Sequence, residues 1–376
     1  MRHRRILPAL IAFALLAVAC GDDGDSSDAA PVTTAPSTST SAPAAESDGG
    51  DAPDAEDAED PDEPAPPVEP DIPEVPEVVF PLTFTDALGY EHTLDEPAQL
   101  GCVSIVCTEI MAGLGVAPRA STYNEEPFFF PVGPPEFVVT NLNDLEAWSG
   151  AEIDFAVMGG PENATHDVAR EIVTVLFVHT PGRTAPDLTG FEAVIENTRL
   201  IGQIVDRAAE AEVLVRNLET AIETARGFST PELADRSFVN LFNGPSYTME
   251  IGNADEVGSW AFCSVILAAE LGYCAEVDIT AQEINAEAFL ELDPDIVAMQ
   301  AGSLTVETRD DPVWGRISAV ENGLAYDSAE TGYRFGGVRS LIWSLQEYVH
   351  FTVPDSGIPH PGLLADFVPE DSPLVS

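Results

Sequence analysis

The stretch Asp187–Gly227 reads DLTGFEAVIENTRLIGQIVDRAAEAEVLVRNLETAIETARG, and the fold turns on its reading. Phe191, Val194, Ile195, Ile201, Ile204, Leu214, Val215, Leu218, Ala221, Ile222 and Ala225 recur every three or four residues. A 3.6-residue period gathers them on one face. Thr189 and Glu192 have capping-box spacing, Pro181 and Pro186 precede them, and Gly227 followed by Pro231 closes the run. The pattern predicts one helix over 187–227, about 55–60 Å long at roughly 1.5 Å per residue. That is longer than a single domain requires, so it predicts a rigid strut between two lobes.

What lies on either side supports two lobes. Before the helix, Phe80–Leu94 alternates around Asp86-Ala87-Leu88-Gly89 as a β-hairpin, and short apolar strands then alternate with short helices up to Val178. After it the pattern returns, from a strand at Phe238–Phe242 to a last helix at Val338–Val349. Such alternation predicts parallel-rich sheets flanked by helices. One element occurs twice. Leu145–Met158, LEAWSGAEIDFAVM, aligns with Ala286–Met299, AEAFLELDPDIVAM. Each copy has Glu-Ala-aromatic, an Asp eight residues after the Glu, and an apolar strand ending in Met. The fold class is thus α/β, with two lobes joined by one long helix. The first lobe spans 80–186, the connecting helix 187–227 and the second lobe 228–354. A Pro-rich tail, 355–376, is expected on the surface.

The start of the chain has a different character. Arg2, Arg4 and Arg5 precede a short apolar run, Ile6–Ala19, too short for a comfortable membrane span and suited to an export signal. The run ends Leu16-Ala17-Val18-Ala19-Cys20-Gly21, which resembles a bacterial lipobox and implies a signal peptide over 1–19 and lipidation of Cys20. Residues 20–79 are rich in Ser, Thr, Ala, Pro, Asp and Glu, and cannot bury enough apolar surface to fold. They read as an acidic tether reaching about 45 Å on average.

Formal charge is −50 overall, and about −35 remains in residues 80–376 once 18 tether acids and three leader arginines are set aside. The chain has no lysine. Without a basic footprint to neutralise phosphates, nucleic acid is excluded as a partner. Such an acidic surface favours a soluble monomer.

Taken together, Thr83-Phe84-Thr85-Asp86-Ala87-Leu88-Gly89, Val103–Ile110, the two repeated elements, Asp311-Pro312-Val313-Trp314 and Ala319–Tyr326 resemble the substrate-binding proteins of ABC importers for iron–siderophores and cobalamin, over about residues 80–354. The resemblance implies two α/β lobes that close modestly on a ligand. It also implies one exposed glutamate per lobe, Glu146 and Glu287, docking on a dimeric permease.

Ligands in open α/β sheets sit beyond the carboxyl ends of the strands. That rule nominates Thr108, Tyr123, Asn124, Gly160 and Arg183 from the first lobe. From the second it nominates Asn243, Tyr247, Tyr333, Arg334 and Arg339. Guanidinium groups and aromatic hydroxyls suit an anionic ferric chelate. The expected function is delivery of a ferric siderophore or similar chelate to an ABC importer. A cobalamin or haem binder of the same family, or a direct metal-ion binder, stand as alternatives. No Gly-x-Ser-x-Gly elbow, phosphate loop or His-Glu-x-x-His motif occurs, so the chain is not read as an enzyme, and no cofactor is implied.

Beyond Cys20 there are four cysteines, Cys102, Cys107, Cys263 and Cys274, and three connectivities are open. If Cys102 and Cys107 bracket a strand, and Cys263 and Cys274 a helix, each neighbouring pair lies too far apart to bond.

Overall fold

The computed structural model describes residues 75, 77–123, 131–139, 144–160, 164–180, 187–243, 248–249, 261–275, 286–299, 305, 310–328 and 336–375, all of them in the unit 69–376. The leader, Cys20 and most of the tether lie outside the described residues. The described fold opens with the hairpin β1 (Leu82–Thr85) and β2 (Glu91–Leu94), antiparallel with Leu82 opposite Leu94. Asp86 organises its turn. One carboxylate oxygen accepts from the Leu88 and Tyr90 amides, both at 3.0 Å. The other accepts from the Phe177 amide at 3.1 Å, which fastens the hairpin to the first sheet.

That sheet consists of β3 (Leu100–Cys102), β4 (Ala120–Ser121), β5 (Phe137–Val138), β6 (Phe155–Gly159) and β7 (Thr174–Val178). The order is β5-β4-β3-β6-β7, all parallel. Helices α1 (Ile105–Gly113), α2 (Leu145–Gly150) and α3 (Ala164–Arg170) make the crossovers. Between the two sheets run α4 (Gly190–Ile204), α5 (Ala208–Arg226) and the short α6 (Pro231–Ala234). The second sheet comprises β8 (Ser237–Asn243), β9 (Thr248–Met249), β10 (Tyr273–Cys274), β11 (Ile296–Met299) and β12 (Ala325–Asp327). It runs β10-β8-β11-β12 in parallel, with β9 antiparallel to β8. Its helices are α7 (Ala261–Ala268), α8 (Ala286–Leu292), α9 (Ser318–Glu321) and α10 (Val338–Thr352).

Strand alternation decides where each core lies. Phe155 and Val157 of β6, like Ile296 and Ala298 of β11, face one large apolar cluster shared by both lobes. Ala156 and Met158 face a small cluster of the first lobe, and Val297 and Met299 one of the second. Each sheet is therefore buried on both faces, as a parallel sheet must be. The shared cluster is filled by Ile110 of α1, Ile201 of α4, Leu218 of α5, Phe262 of α7 and Leu341 of α10.

The repeated element folds the same way twice. Trp148 and Phe289 are buried at matching positions. Glu152 and Asp293, also matched, both adopt the left-handed backbone, at φ 52° and 40°. Asp154 accepts the Gln99 amide at 2.7 Å, just before β3. Asp295 accepts the Ser237 amide at 2.9 Å, at the start of β8. Each aspartate thus pins the adjacent central strand.

The predicted single helix is two helices. Asp206 takes φ 57° and breaks the run between α4 and α5; a short polar side chain tolerates this conformation better than most. Arg199 on α4 grips Glu212 on α5 in a fork, at 2.9 and 3.3 Å. On one straight helix residues thirteen apart would be separated by about 20 Å, so α5 folds back on α4. Gly202 permits the close crossing, since a Cβ there would lie 2.6 Å from that of Ala211. The lobes are bridged by a packed group of helices, not by one strut.

Two further expectations are corrected. The disulfides join neighbours, Cys102 to Cys107 and Cys263 to Cys274, with Cα separations of 5.4 and 5.9 Å. The distance objection fails because the chain reverses between each pair. β3 stops at Cys102 and α1 starts at Ile105, which brings Cys107 back over the strand end. After α7 the chain likewise returns as β10. The tail is also more than surface. Leu364 and Leu374 are fully buried, and Phe367 nearly so, against the shared core. The Gly362 carbonyl accepts from Trp343 Nε1 at 3.2 Å, and that of Pro359 from Gln346 at 3.0 Å.

Candidate functional site

In both sheets the carboxyl ends of the central strands mark one edge, and the residues that leave it are the candidates for ligand contact. Ser104 follows β3 and caps α1, its hydroxyl accepting the Val106 amide at 3.3 Å. Tyr123 follows β4, half-buried. Burial raises its phenol above the ordinary tyrosine value, and a backbone hydrogen bond at Ile105 works against that rise, so the ring lies by the start of α1. Gly160 follows β6 and takes φ 91°. The hydroxyls of Ser104 and Thr180 flank Gly159.

The strand exits are braced from behind. After β7, the His179 amide donates to Asn197 Oδ1 at 2.8 Å, and Asn197 Nδ2 donates to the His179 carbonyl at 2.7 Å, which ties this exit to α4. After β12, Ser328 donates to the buried Glu347 carboxylate, with contacts of 2.9 and 2.8 Å, which ties the equivalent exit to α10. His360 of the tail stands 3.5 Å from the same carboxylate.

Two nominated residues belong to the interior. Thr108 is fully buried, its hydroxyl 3.2 Å from that of Ser121. Arg339 is 2% exposed, and its Nη2 donates to Glu109 Oε1 at 3.3 Å, across the two lobes. Burial pushes the Glu109 carboxyl up from its ordinary value; the Arg339 charge, and hydrogen bonds from Arg339 and Ser340, pull it back. Asn124, Arg183, Tyr247, Tyr333 and Arg334 lie outside the described residues, and Asn243 is described by its backbone alone. Of the nominated set, Tyr123 and Gly160 stand at the strand ends with their surroundings described.

Ser104, Asn197 and Glu109 were missed by sequence reasoning. A serine directly before an apolar helical run is an N-cap signal. Glu109 is the one acid within Ile105–Gly113, and a carboxylate on such an apolar helix requires a partner.

Glu146 and Glu287 are exposed in the first turns of α2 and α8. A helix that leads into a parallel strand runs back against it, so its first turn lies at the carboxyl edge of the sheet. Both glutamates therefore stand at the edge where the candidate ligand residues emerge. Two cavities, about 470 Å³ beside Tyr90, Arg170 and Thr174 and about 490 Å³ beside Arg236, Asp295 and Leu324, open at the opposite edges. They are not part of this site. No described helix is long and apolar enough to cross a membrane.

This architecture defines a class: two parallel-rich α/β lobes whose strand ends form one candidate edge apiece. The family model for periplasmic binding proteins matches residues 157–329, which run from the first sheet into the second. Over those residues the sequence resembles the periplasmic binding proteins. The Fe(3+)-citrate-binding protein YfmC of Bacillus subtilis (strain 168) is 32% identical over 79 residues, which is 20% of this chain and 25% of that protein. The chain thus spans a quarter of the length of the curated relative it matches. The triscatecholate siderophore binding protein FeuA of Bacillus subtilis, solved with ferri-bacillibactin, superposes with a TM-score of 0.58 at 14% identity, over 73% of this chain and 98% of that one. The iron-uptake ABC transporter substrate-binding protein PiuA of Streptococcus pneumoniae Canada MDR_19A gives 0.56 at 14% identity, over 72% and 98%. Likenesses at such low identity show the fold alone.

Proposed function

We propose that this chain is the extracytoplasmic substrate-binding component of an ABC importer, and that it delivers a ferric siderophore or similar ferric chelate. The observation that carries the reading is the family match across residues 157–329. The FeuA and PiuA folds and the stretch shared with an Fe(3+)-citrate binder support it. The ligand sits between the strand ends of the two lobes, against Tyr123 and Gly160, with Asn124, Arg183, Asn243, Tyr247, Tyr333 and Arg334 as further contacts. The chain binds and releases its ligand without turning it over. It works as a monomer, anchored to the membrane through a lipid on Cys20 and held off it by the acidic tether. Glu146 and Glu287 dock on the two subunits of the permease, one from each lobe.

The test is a thermal-shift screen of the full chain with ferric citrate, a ferric catecholate, a ferric hydroxamate, cobalamin, haem and divalent metal ions. A ligand at about 100 times its Kd adds about 2.7 kcal/mol of stability. The expected result is a shift with a ferric chelate. A shift with cobalamin, haem or a bare ion alone replaces the ligand. For the anchor, Cys20→Ala is expected to release the protein from the membrane fraction, and unchanged fractionation and mature mass reject it.

A further inference from the structure

Among the described residues, one ion pair between nearly fully buried side chains joins a helix of the first lobe to a helix of the second. Glu109 projects from α1, the helix that follows the first strand of the first sheet. Arg339 stands in the first turn of α10, the helix that follows the last strand of the second. Their side chains are 0% and 2% exposed and meet at 3.3 Å, joining residues 230 apart in sequence. The backbone is shaped to receive the carboxylate stem. A Cβ on Gly336 would lie 2.4 Å from Glu109 Cγ and 2.9 Å from its Cβ, and one on Gly337 would lie 3.2 Å from the latter. Arg339 Nη1 also reaches the Leu364 carbonyl of the tail at 3.5 Å.

A buried ion pair is a poor source of stability. Taking two charges out of water costs about as much as their attraction returns, and apolar residues of equal volume often hold a fold better. What a buried pair can supply is register, because a displaced charge in an apolar interface is heavily penalised. Apolar side chains alone leave two packed helices free to slide or tilt at little cost. Here the helices belong to different lobes, so their register is the angle of the cleft.

We propose that Glu109 and Arg339 are positioning residues that set the orientation of one lobe on the other, and through it the spacing of the two strand-end edges. Neither residue touches ligand. The claim about the cleft rests on the function proposed above; the claim about lobe orientation does not.

The experiment places two fluorophores on ketone-bearing unnatural residues at the exposed positions Ser149 on α2 and Glu291 on α8 of the full chain. The distribution of inter-lobe distance is read without ligand by single-molecule energy transfer. Glu109→Gln alone removes one charge of the buried pair and is expected to lower Tm by roughly 5–10 °C. The double variant Glu109→Leu with Arg339→Met is expected to recover most of that Tm and still broaden the distribution. If only about a tenth of its molecules hold the competent orientation, ferric-chelate affinity falls about tenfold. Gly336→Ala keeps both charges and wedges the helices apart, so it is expected to shift the mean distance. Structural glue alone would make Tm and distribution move together. Double-variant and Gly336→Ala distributions that superimpose on the wild type overturn the proposal. If no ferric chelate binds the wild-type chain while the distributions still change, the proposed function falls and the orientation role stands.

Discussion

The two lobes carry matching parts but fasten them differently. α1 and α7 each follow the central strand that pairs with the repeated element's strand, and each holds one half of a disulfide. In the first lobe Cys107 bonds back to Cys102 on the strand before it; in the second Cys263 bonds forward to Cys274 on the strand after it. The repeated elements diverge in the same fashion. Asp293 accepts from the Ser318 amide at 2.7 Å and the Ser318 hydroxyl at 2.9 Å, which binds its turn to α9. Its counterpart Glu152 is 84% exposed and only 4.0 Å from Arg119. Fastenings inside a lobe are thus free to vary. The exposed glutamate in the first turn of α2 and of α8, by contrast, is present in both lobes. A first-turn carboxylate complements the helix dipole in both copies, and the docking role proposed for the pair requires its repetition.

That contrast can be broken most severely at the glutamates. Glu146→Arg with Glu287→Arg is expected to abolish uptake in a reconstituted importer and leave ferric-chelate affinity unchanged. Transport that survives the double reversal reduces the repeat to shared architecture. Next come the buried aromatics. Phe289→Ala is expected to cost about 3–5 kcal/mol in urea unfolding, with Trp148→Ala at the lower end of that range because its cluster is smaller. Equal losses would mean the two clusters relax alike.

The disulfides rank third. Chain-entropy reasoning gives about 3 kcal/mol for the longer loop at Cys263–Cys274 and about 2 kcal/mol for Cys102–Cys107. Paired Cys→Ala variants should therefore differ by about 1 kcal/mol, and the reverse order would show that loop length does not govern them. Smallest is the strand pin. Asp295→Ala strips a buried amide and hydroxyl of their acceptor and is expected to cost about 1–3 kcal/mol, against about 0.5–1.5 for Asp154→Ala, whose partner Gln99 is exposed. Equal costs would place Ser237 in contact with water.

The parts legible in the sequence were those written locally. Strand and helix periods, the repeat and its buried aromatics all depend on residues within about fifteen positions. The break at Asp206 was hidden because the apolar stripe resumes beyond it in a compatible phase. Only Gly202 and the Asp206-Arg207 pair mark it, and neither is decisive without the crossing they permit. The disulfides were misjudged through a boundary. A strand between Cys102 and Cys107 would hold them apart, and ending it at Cys102, with α1 starting at Ile105, changes the distance entirely. Arg339 was nominated for the ligand because it follows a strand-end loop. Its partner Glu109 lies 230 residues away, and local pattern does not reach that far. At the candidate site, Tyr123 and Gly160 were nominated by the strand-end rule alone, and each does follow a strand.

The single apolar cluster that takes in both sheets' inner faces has a thermodynamic consequence. A lobe cannot melt by itself without exposing the other lobe's interior, so the two share one cooperative transition. Calorimetry is expected to give one heat-absorption peak for the folded part, with the calorimetric and van't Hoff enthalpies equal. Hydrogen exchange is expected to protect Leu100 and Phe238, on central strands of different lobes, to the same global limit. Among the described residues the two sheets share one interior, so a movement of one lobe on the other is expected to be a small tilt of two halves that melt as one.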